Sequence, residues 1–307
     1  MRKITITTTS FGEYDKSVFD FLDKKNFKLG LNPHGRKLKR EEILDLCKDS
    51  IGIIAGTEKI DAGVLSSLPE LRVISRCGTG MDNVDLEAAK HKGISVFNTP
   101  DAPTFAVTEL TIGLMLDMLR KITITDKEIR NGVWHKHMGN LISGKSIGII
   151  GFGRIGRRVA ELLIPFGCVI CYYDVISGIS QMEIKGCRID RLEMDSLLKV
   201  SDIVSIHVSS QDQLLGRNEI GKMKKGAWLV NVSRGGVVDE EALYEALKND
   251  HLSGAALDVF MDEPYDGPLK ELNNVLLTAH IGSYAKESRI EMERQAVVNL
   301  LKGLELI

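Results

Sequence analysis

Short apolar runs alternate along this chain with segments whose apolar residues return every third or fourth position. Up to residue 98 the runs fall at 4–7, 27–31, 51–55, 72–75 and 94–97 and predict strands. Between them, at 14–22 and 40–46 for example, the longer period predicts helices. This rhythm predicts a parallel sheet with helices on its faces. Pro100 and Pro103 break the series. Residues 105–119 follow, apolar almost all round, and predict a helix buried between domains or subunits. A second series opens at Ser146, with strands predicted at 146–150, 169–173, 203–207, 227–232, 254–259 and 275–278. Its clearest helix is 240–248, with Asp239 as N-cap. A last helix, at about 285–304, follows the final strand and is free to return to the first sheet. Two α/β domains are expected, the second inserted into the first.

One junction in the second series carries chemistry. The run 146–150 meets Gly151-Phe152-Gly153-Arg154-Ile155-Gly156, and a helical period starts at once. In this G-x-G-x-x-G turn Gly151 permits the bend and Gly153 lets a diphosphate approach the backbone. Gly156 lets helix and strand pack closely. The helix N-terminus offers free N–H groups and partial positive charge. The next apolar run ends in Asp174, eighteen residues beyond Gly156, where a carboxylate accepts hydrogen bonds from an adenosine ribose. Val175 and Ile176 follow, with no adjacent Arg or Lys for a 2′-phosphate, so NAD is expected rather than NADP.

Parallel sheets bind ligands outside the carboxyl ends of their strands. Three such ends in the second series carry Arg234, Glu263 and His280. An arginine fork suits a carboxylate or a polarised carbonyl. Histidine can take or give the proton when a secondary alcohol and its ketone interconvert, and a neighbouring carboxylate orients it. In the first series the end with most interest is Arg76-Cys77-Gly78-Thr79-Gly80, whose backbone N–H groups and arginine suit an anion.

Composition narrows the classes. The 307 residues are 43% apolar and 27% charged, as in globular proteins. A net charge of −2 supplies no electrostatic reason to bind nucleic acid or an anionic membrane. No apolar run approaches the about eighteen residues of a membrane span, and no signal pattern opens the chain, so the cytoplasm is the expected compartment. Five irregularly spaced cysteines make no disulfide framework. Cys168 and Cys171 have C-x-x-C spacing, but strand positions three apart face opposite sides. His135 and His137 offer two metal ligands without an apparent third, so both are expected as surface residues and no metal is expected.

At its motifs the sequence resembles the D-isomer specific 2-hydroxyacid dehydrogenase family, especially its phosphoglycerate dehydrogenase-like branch. The residues carrying the resemblance are 76–85, 93–100, 107–110, the Gly151 turn, 231–236, Asp258-Val259-Phe260 with Glu263-Pro264, and His280-Ile281-Gly282. The resemblance implies a flavodoxin-like substrate domain over 1–98 and a Rossmann NAD-binding domain over 99–281. Residues 282–307 then return to the substrate domain. Both domains would be doubly wound parallel sheets. It implies His280 as acid/base, Glu263 as its partner and Arg234 on the substrate's carboxylate and carbonyl. Arg154 and Ile155 would lie at the pyrophosphate, Asp174 at the ribose and Asp258 at the nicotinamide carboxamide. Thr79, Val208 and Val232 match further cofactor positions. Arg76 and the backbone of Gly78, Thr79 and Gly80 would receive the substrate's acidic group. A cleft closed by domain rotation and a homodimer formed through the cofactor domain are also implied.

Departures from the family pattern bear on the adenine side of the cofactor pocket, on the substrate and on regulation. His207-Val208 is followed by Ser209-Ser210-Gln211, where proline-leucine-threonine is common. Ala55 stands where phosphoglycerate dehydrogenases often carry an arginine, leaving Arg36 or Lys59 to compensate. The chain stops soon after its last helix, so serine feedback through a C-terminal domain is not expected. The expected activity is NAD-dependent interconversion of a D-2-hydroxy acid and its 2-keto acid, with 3-phosphoglycerate, glycerate or glycolate as substrates. NAD(H)-sensing corepressors and formate or phosphite dehydrogenases use the same scaffold and are the alternatives.

Overall fold

The computed structural model describes residues 2–23, 25–176 and 181–306. The chain divides into two compact units, Met1–Pro103 with Ser283–Ile307, and Thr104–Gly282.

In the first unit the strands are β1 (Lys3–Ile6), β2 (Lys28–Leu31), β3 (Ser50–Ala55), β4 (Val73–Arg76) and β5 (Ser95–Phe97). The helices between them are α1 (Ser17–Asp23), α2 (Arg40–Cys47), α3 (Ala62–Ser66) and α4 (Leu86–His91). All pairings are parallel and the order is β2-β1-β3-β4-β5, the flavodoxin-like winding. Ile53 and Ile54 are both fully buried, yet they join opposite layers of core because side chains alternate along a strand. Burial on both faces is why these runs read as continuous apolar stretches.

The second unit contains α5 (Thr104–Arg120), α6 (Ile122–Arg130), β6 (Ser146–Ile150), α7 (Arg154–Leu163) and β7 (Val169–Tyr173). It continues with β8 (Gln181–Ile184), β9 (Cys187–Arg191), α8 (Met194–Val200), β10 (Ile203–Ile206) and α9 (Arg217–Lys222). Then come β11 (Ala227–Asn231), α10 (Glu240–Lys248), β12 (Leu252–Leu257) and β13 (Val275–Leu277). The sheet order is β13-β12-β11-β10-β6-β7-β9-β8. The run from β9 to β12 is the Rossmann order, with one strand added at each edge. Asp239 caps α10 as expected, accepting a hydrogen bond from Ala242 N–H at 3.0 Å.

Two features depart from the sequence reading. The apolar pattern does not predict the hairpin β8–β9, and β8 makes the sheet's edge antiparallel. Its turn is Lys185-Gly186, both with φ > 0, the left-handed pair of a two-residue hairpin but without the Asn-Gly signal. Helix α6 also escapes that pattern, since it buries none of its side chains. On α7 the buried face is Gly156, Val159, Ala160 and Leu163, while Phe166 beyond it is exposed.

The last helix, α11 (Lys286–Gly303), packs on β3, β4 and β5 of the first unit. Met292, Ala296, Val297 and Leu300 enter the core, and Leu300 occupies space that a Cβ on Gly52 would contest at 2.8 Å. Glu293, 1% exposed, accepts from Gly12 N–H at 2.9 Å, and Arg289 donates to Ser10 Oγ at 2.8 Å. The pair anchors the loop after β1, and burial raises the Glu293 pKa. Leu300→Ala should lower urea-unfolding stability by about 2–5 kcal/mol. A loss below about 1 kcal/mol would show that α11 is not part of this core.

Candidate active site

The glycine turn joins β6 to α7. Gly151 has φ +89°, and a Cβ there would meet the His207 carbonyl oxygen at 2.6 Å. A Cβ on Gly156 would meet the Gly151 carbonyl at 2.2 Å, so helix and strand pack at a separation only glycine allows. Gly153 is different. It is exposed, caps α7 without a side-chain bond and has nothing within 4 Å of its would-be Cβ. Open space above bare helix N–H groups fits a diphosphate. Arg154 and Ile155 open the helix beside it.

Asp174 follows β7. Its Oδ2 accepts from Phe152 N–H at 2.7 Å and its Oδ1 from Ile176 N–H at 2.8 Å. The Phe152 ring stacks on Tyr172 with centroids 4.1 Å apart, which ties the turn to β7. One neighbour escapes the sequence reading. Arg191 pairs in register with Tyr172, so it shares a sheet face with Tyr172 and Asp174, and its Nη2 donates to the Asp174 carbonyl at 3.4 Å. Its Nε is buried with no hydrogen-bond partner among the described residues. No cation is adjacent to Asp174 in sequence, but the unpredicted hairpin brings one beside it in space.

His207 ends β10 against the turn. Burial holds its pKa down to about 3, so the ring is neutral, with Nε2 2.8 Å from Ser205 Oγ. Val208 packs on the sheet core beyond Gly151, and Val232 is buried after β11.

The three ionisable strand ends lie on neighbouring strands β11, β12 and β13. His280 Nδ1 stands 2.9 Å from Glu263 Oε2 and 3.1 Å from Oε1, which leaves Nε2 to face a reactant. Glu263 Oε1 also accepts from Phe260 N–H at 3.1 Å. The Glu263 hydrogen bond raises the His280 pKa, against opposition from desolvation and from the positive charge of Arg234. Gly235 sets the spacing, because a Cβ there would strike the Phe260 carbonyl at 1.8 Å. Asn231, 2% exposed, shapes the Arg234 turn: its Oδ1 accepts from Ser233 N–H at 3.1 Å and its Nδ2 donates to the Arg234 carbonyl at 3.0 Å.

Asp258 has a task that sequence reasoning does not foresee. It is 1% exposed; Oδ1 accepts from Thr278 Oγ1 at 2.6 Å and Ile281 N–H at 2.8 Å, and Oδ2 from Gly282 N–H at 2.8 Å. These bonds hold the loop on which His280 sits with φ +52°. Three acceptor sites are spent on the protein, leaving about one.

In the first unit, Arg76 ends β4. It donates to the Cys77 carbonyl, and its Nε to Asn83 Oδ1 at 3.3 Å. Gly78 N–H is already given to Thr99 Oγ1 at 2.8 Å, so of the expected backbone donors only those of Thr79 and Gly80 carry no hydrogen bond among the described residues. Glu58, unread in the sequence, is buried at 1% exposure at the end of β3, accepting from Thr7 Oγ1 and from Gly56 N–H at 3.0 Å. Arg36 closes on Glu42 through two bonds of 2.8 and 2.6 Å. Cys168 and Cys171 bond separate carbonyls, those of Ile142 and Ile147, and burial pushes both thiols up. Among the described residues no helix is long and apolar enough to cross a membrane. His135 is exposed, as expected of a surface residue, but it and His137 do have a third ligand group beside them, Glu128 of α6, which the sequence does not show.

A glycine turn with its acid, beside an imidazole–carboxylate pair and an arginine on one rim, defines an NAD-dependent oxidoreductase. Residues 112–282 match the family described as D-isomer specific 2-hydroxyacid dehydrogenase, NAD binding domain. The chain is 41% identical over 278 residues to a glyoxylate reductase of Thermofilum pendens, covering 87% of this chain and 82% of that one. It is 36% identical to a D-3-phosphoglycerate dehydrogenase of Archaeoglobus fulgidus over 87% of this chain, but spans only 52% of that protein. The crystal structure of the TT0316 protein from Thermus thermophilus superposes with a TM-score of 0.88 at 34% identity, covering 99% of this chain and 97% of that one. The chain belongs to the D-isomer specific 2-hydroxyacid dehydrogenase family and interconverts 2-hydroxy and 2-keto acids with NAD.

Glu263→Gln should lower the His280 pKa, because the imidazolium loses its counter-charge. Titration of the His280 ring signals by NMR should show the midpoint moving to lower pH. An unmoved midpoint would mean that the 2.9 Å contact does not govern the ring.

Proposed function

We propose that this protein reduces a small, unphosphorylated 2-keto acid such as glyoxylate or hydroxypyruvate, with His280 as proton donor. The observation that carries the reading is the double contact of His280 Nδ1 with Glu263, which fixes the ring and favours its imidazolium form. NAD, when bound, supplies the hydride acceptor and in its reduced form the donor. His280 Nε2–H gives its proton to the carbonyl oxygen in reduction and takes it back in oxidation. Arg234 binds the substrate carboxylate and polarises the adjacent carbonyl. Arg76 and the N–H groups of Thr79 and Gly80 receive the acidic group in the first unit. Gly151, Gly153, Arg154, Ile155 and Gly156 hold the diphosphate, and Asp174 holds the ribose. Thr79, Val208 and Val232 line the cofactor, and Asp258 offers its remaining acceptor site to the carboxamide.

The preference against a phosphorylated substrate rests on the strand ends of the first unit. Ala55 offers no charge there, Glu58 places a buried carboxylate beside it, and Arg36 is committed to Glu42. Of the two cations left to compensate, only the exposed Lys59 is uncommitted among the described residues, and the neighbouring Glu58 opposes a second anionic group there.

We also assign the protein to a homodimer through α5, α6 and the segment after them. There Phe105, Ile122, Ile129, Trp134, Met138 and Leu141 are exposed apolar residues. Five unbridged cysteines suit a reducing cytoplasm.

NADH oxidation should be measured against glyoxylate, hydroxypyruvate and phosphohydroxypyruvate. The two unphosphorylated acids should turn over with kcat/KM at least about tenfold above the third. The reverse order would refute the substrate assignment, and failure on all three with tight NADH binding would favour a sensor. In the cofactor site, Asp174→Ala should raise the NADPH/NADH ratio of kcat/KM about tenfold or more, because repulsion of the 2′-phosphate is lost and Arg191 remains. Adding Arg191→Ala should reverse that gain. A ratio unchanged by Asp174→Ala would reject its ribose role.

A further inference from the structure

Helix α6 buries none of its side chains, and the segment after it has no regular structure. Apolar packing therefore does little to hold this arm within one chain. What it does contain is a convergence of ligand atoms. Glu128 lies in the last turn of α6, and the rings of His135 and His137, two residues apart in the segment after it, lie against each other. His137 Nε2 is 2.7 Å from Glu128 Oε2, and His135 Nδ1 is 3.9 Å from Glu128 Oε1. The two ring centroids are 4.1 Å apart, and one ligand atom from each residue lies within 4.8 Å of the others. Among the described residues this is the one such cluster of three.

An ordinary His–Glu ion pair would account for His137 alone. It does not account for a second imidazole drawn onto the same carboxylate, with its ring against the first. Ligands around a tetrahedral zinc lie about 2.0–2.1 Å from the ion, hence about 3.3 Å from one another. The separations to Glu128, 2.7 and 3.9 Å, bracket that spacing, so rotamer adjustments suffice to admit an ion. Two imidazoles and one carboxylate suit zinc, cobalt, nickel or copper rather than magnesium or calcium, which prefer oxygen ligands. Three protein ligands leave a position for water.

We propose that Glu128, His135 and His137 bind one divalent transition-metal ion of the zinc class, which clips the segment around 135–137 to α6. The site shares no residue with the His280–Glu263 pair and has no part in proton transfer. It braces an arm whose Ile129, Trp134, Met138 and Leu141 are exposed rather than packed within the chain.

The test is calorimetric titration of tag-free, chelator-treated protein with ZnCl2 and, separately, MgCl2. Zinc should bind at one equivalent per chain and raise the melting temperature, while magnesium should do neither. His137→Ala and the His135→Ala/His137→Ala pair should each weaken zinc binding at least about tenfold and abolish the melting shift. Glu128→Gln, which preserves size, should weaken it in the same direction. The His280→Ala protein should still bind its equivalent. Absence of saturable zinc binding with a Kd below about 100 μM would overturn the proposal. So would an equivalent insensitive to His137→Ala, or one lost in His280→Ala.

Discussion

The active rim depends on one buried carboxylate. Asp258 collects a hydroxyl and two backbone N–H groups from the loop 278–282, and that loop carries His280 in a left-handed conformation. A histidine seldom adopts positive φ unless its surroundings impose it. Here the imposition comes from charge-assisted bonds in a site closed to water, where each is stronger than it would be at the surface. The ring so placed meets Glu263, which is held in turn by Phe260 N–H. Two acids thus divide the work: the buried one fixes the backbone, and the half-exposed one sets the charge of the ring.

Glycine supplies the complementary constraint. At Gly151 and Gly156 it closes strand, turn and helix to distances no side chain tolerates, and at Gly235 it lets the Arg234 turn lie against the loop after β12. At Gly153 the same residue leaves empty space. Close packing around an opening is what a diphosphate requires, since the bare N–H groups of α7 can approach it only there.

Much of this is legible in the sequence, because both sheets are buried on both faces and their strands stand out as apolar runs bounded by turns. The glycine spacing, Asp174, Arg234, Glu263 and His280 can be read because each sits where a run ends. The hairpin β8–β9 cannot, since it is an edge element with mostly polar, half-exposed residues and a Lys-Gly turn. Arg191 is lost with it, although it lies beside Asp174. Glu58 and Glu128 escape for a related reason. Neither stands in a motif or at a fixed spacing to a partner, and only the fold reveals that one is buried and the other faces two imidazoles.

The most direct test of the central claim, proton transfer by a ring held in place from two sides, is His280→Ala. Keto-acid-dependent NADH oxidation should be followed alongside NADH binding by fluorescence. Turnover should fall by about 10²–10⁴-fold, the usual contribution of a positioned acid, while the NADH Kd stays within about threefold, under 1 kcal/mol. Turnover within about tenfold of the parent enzyme would contradict the account.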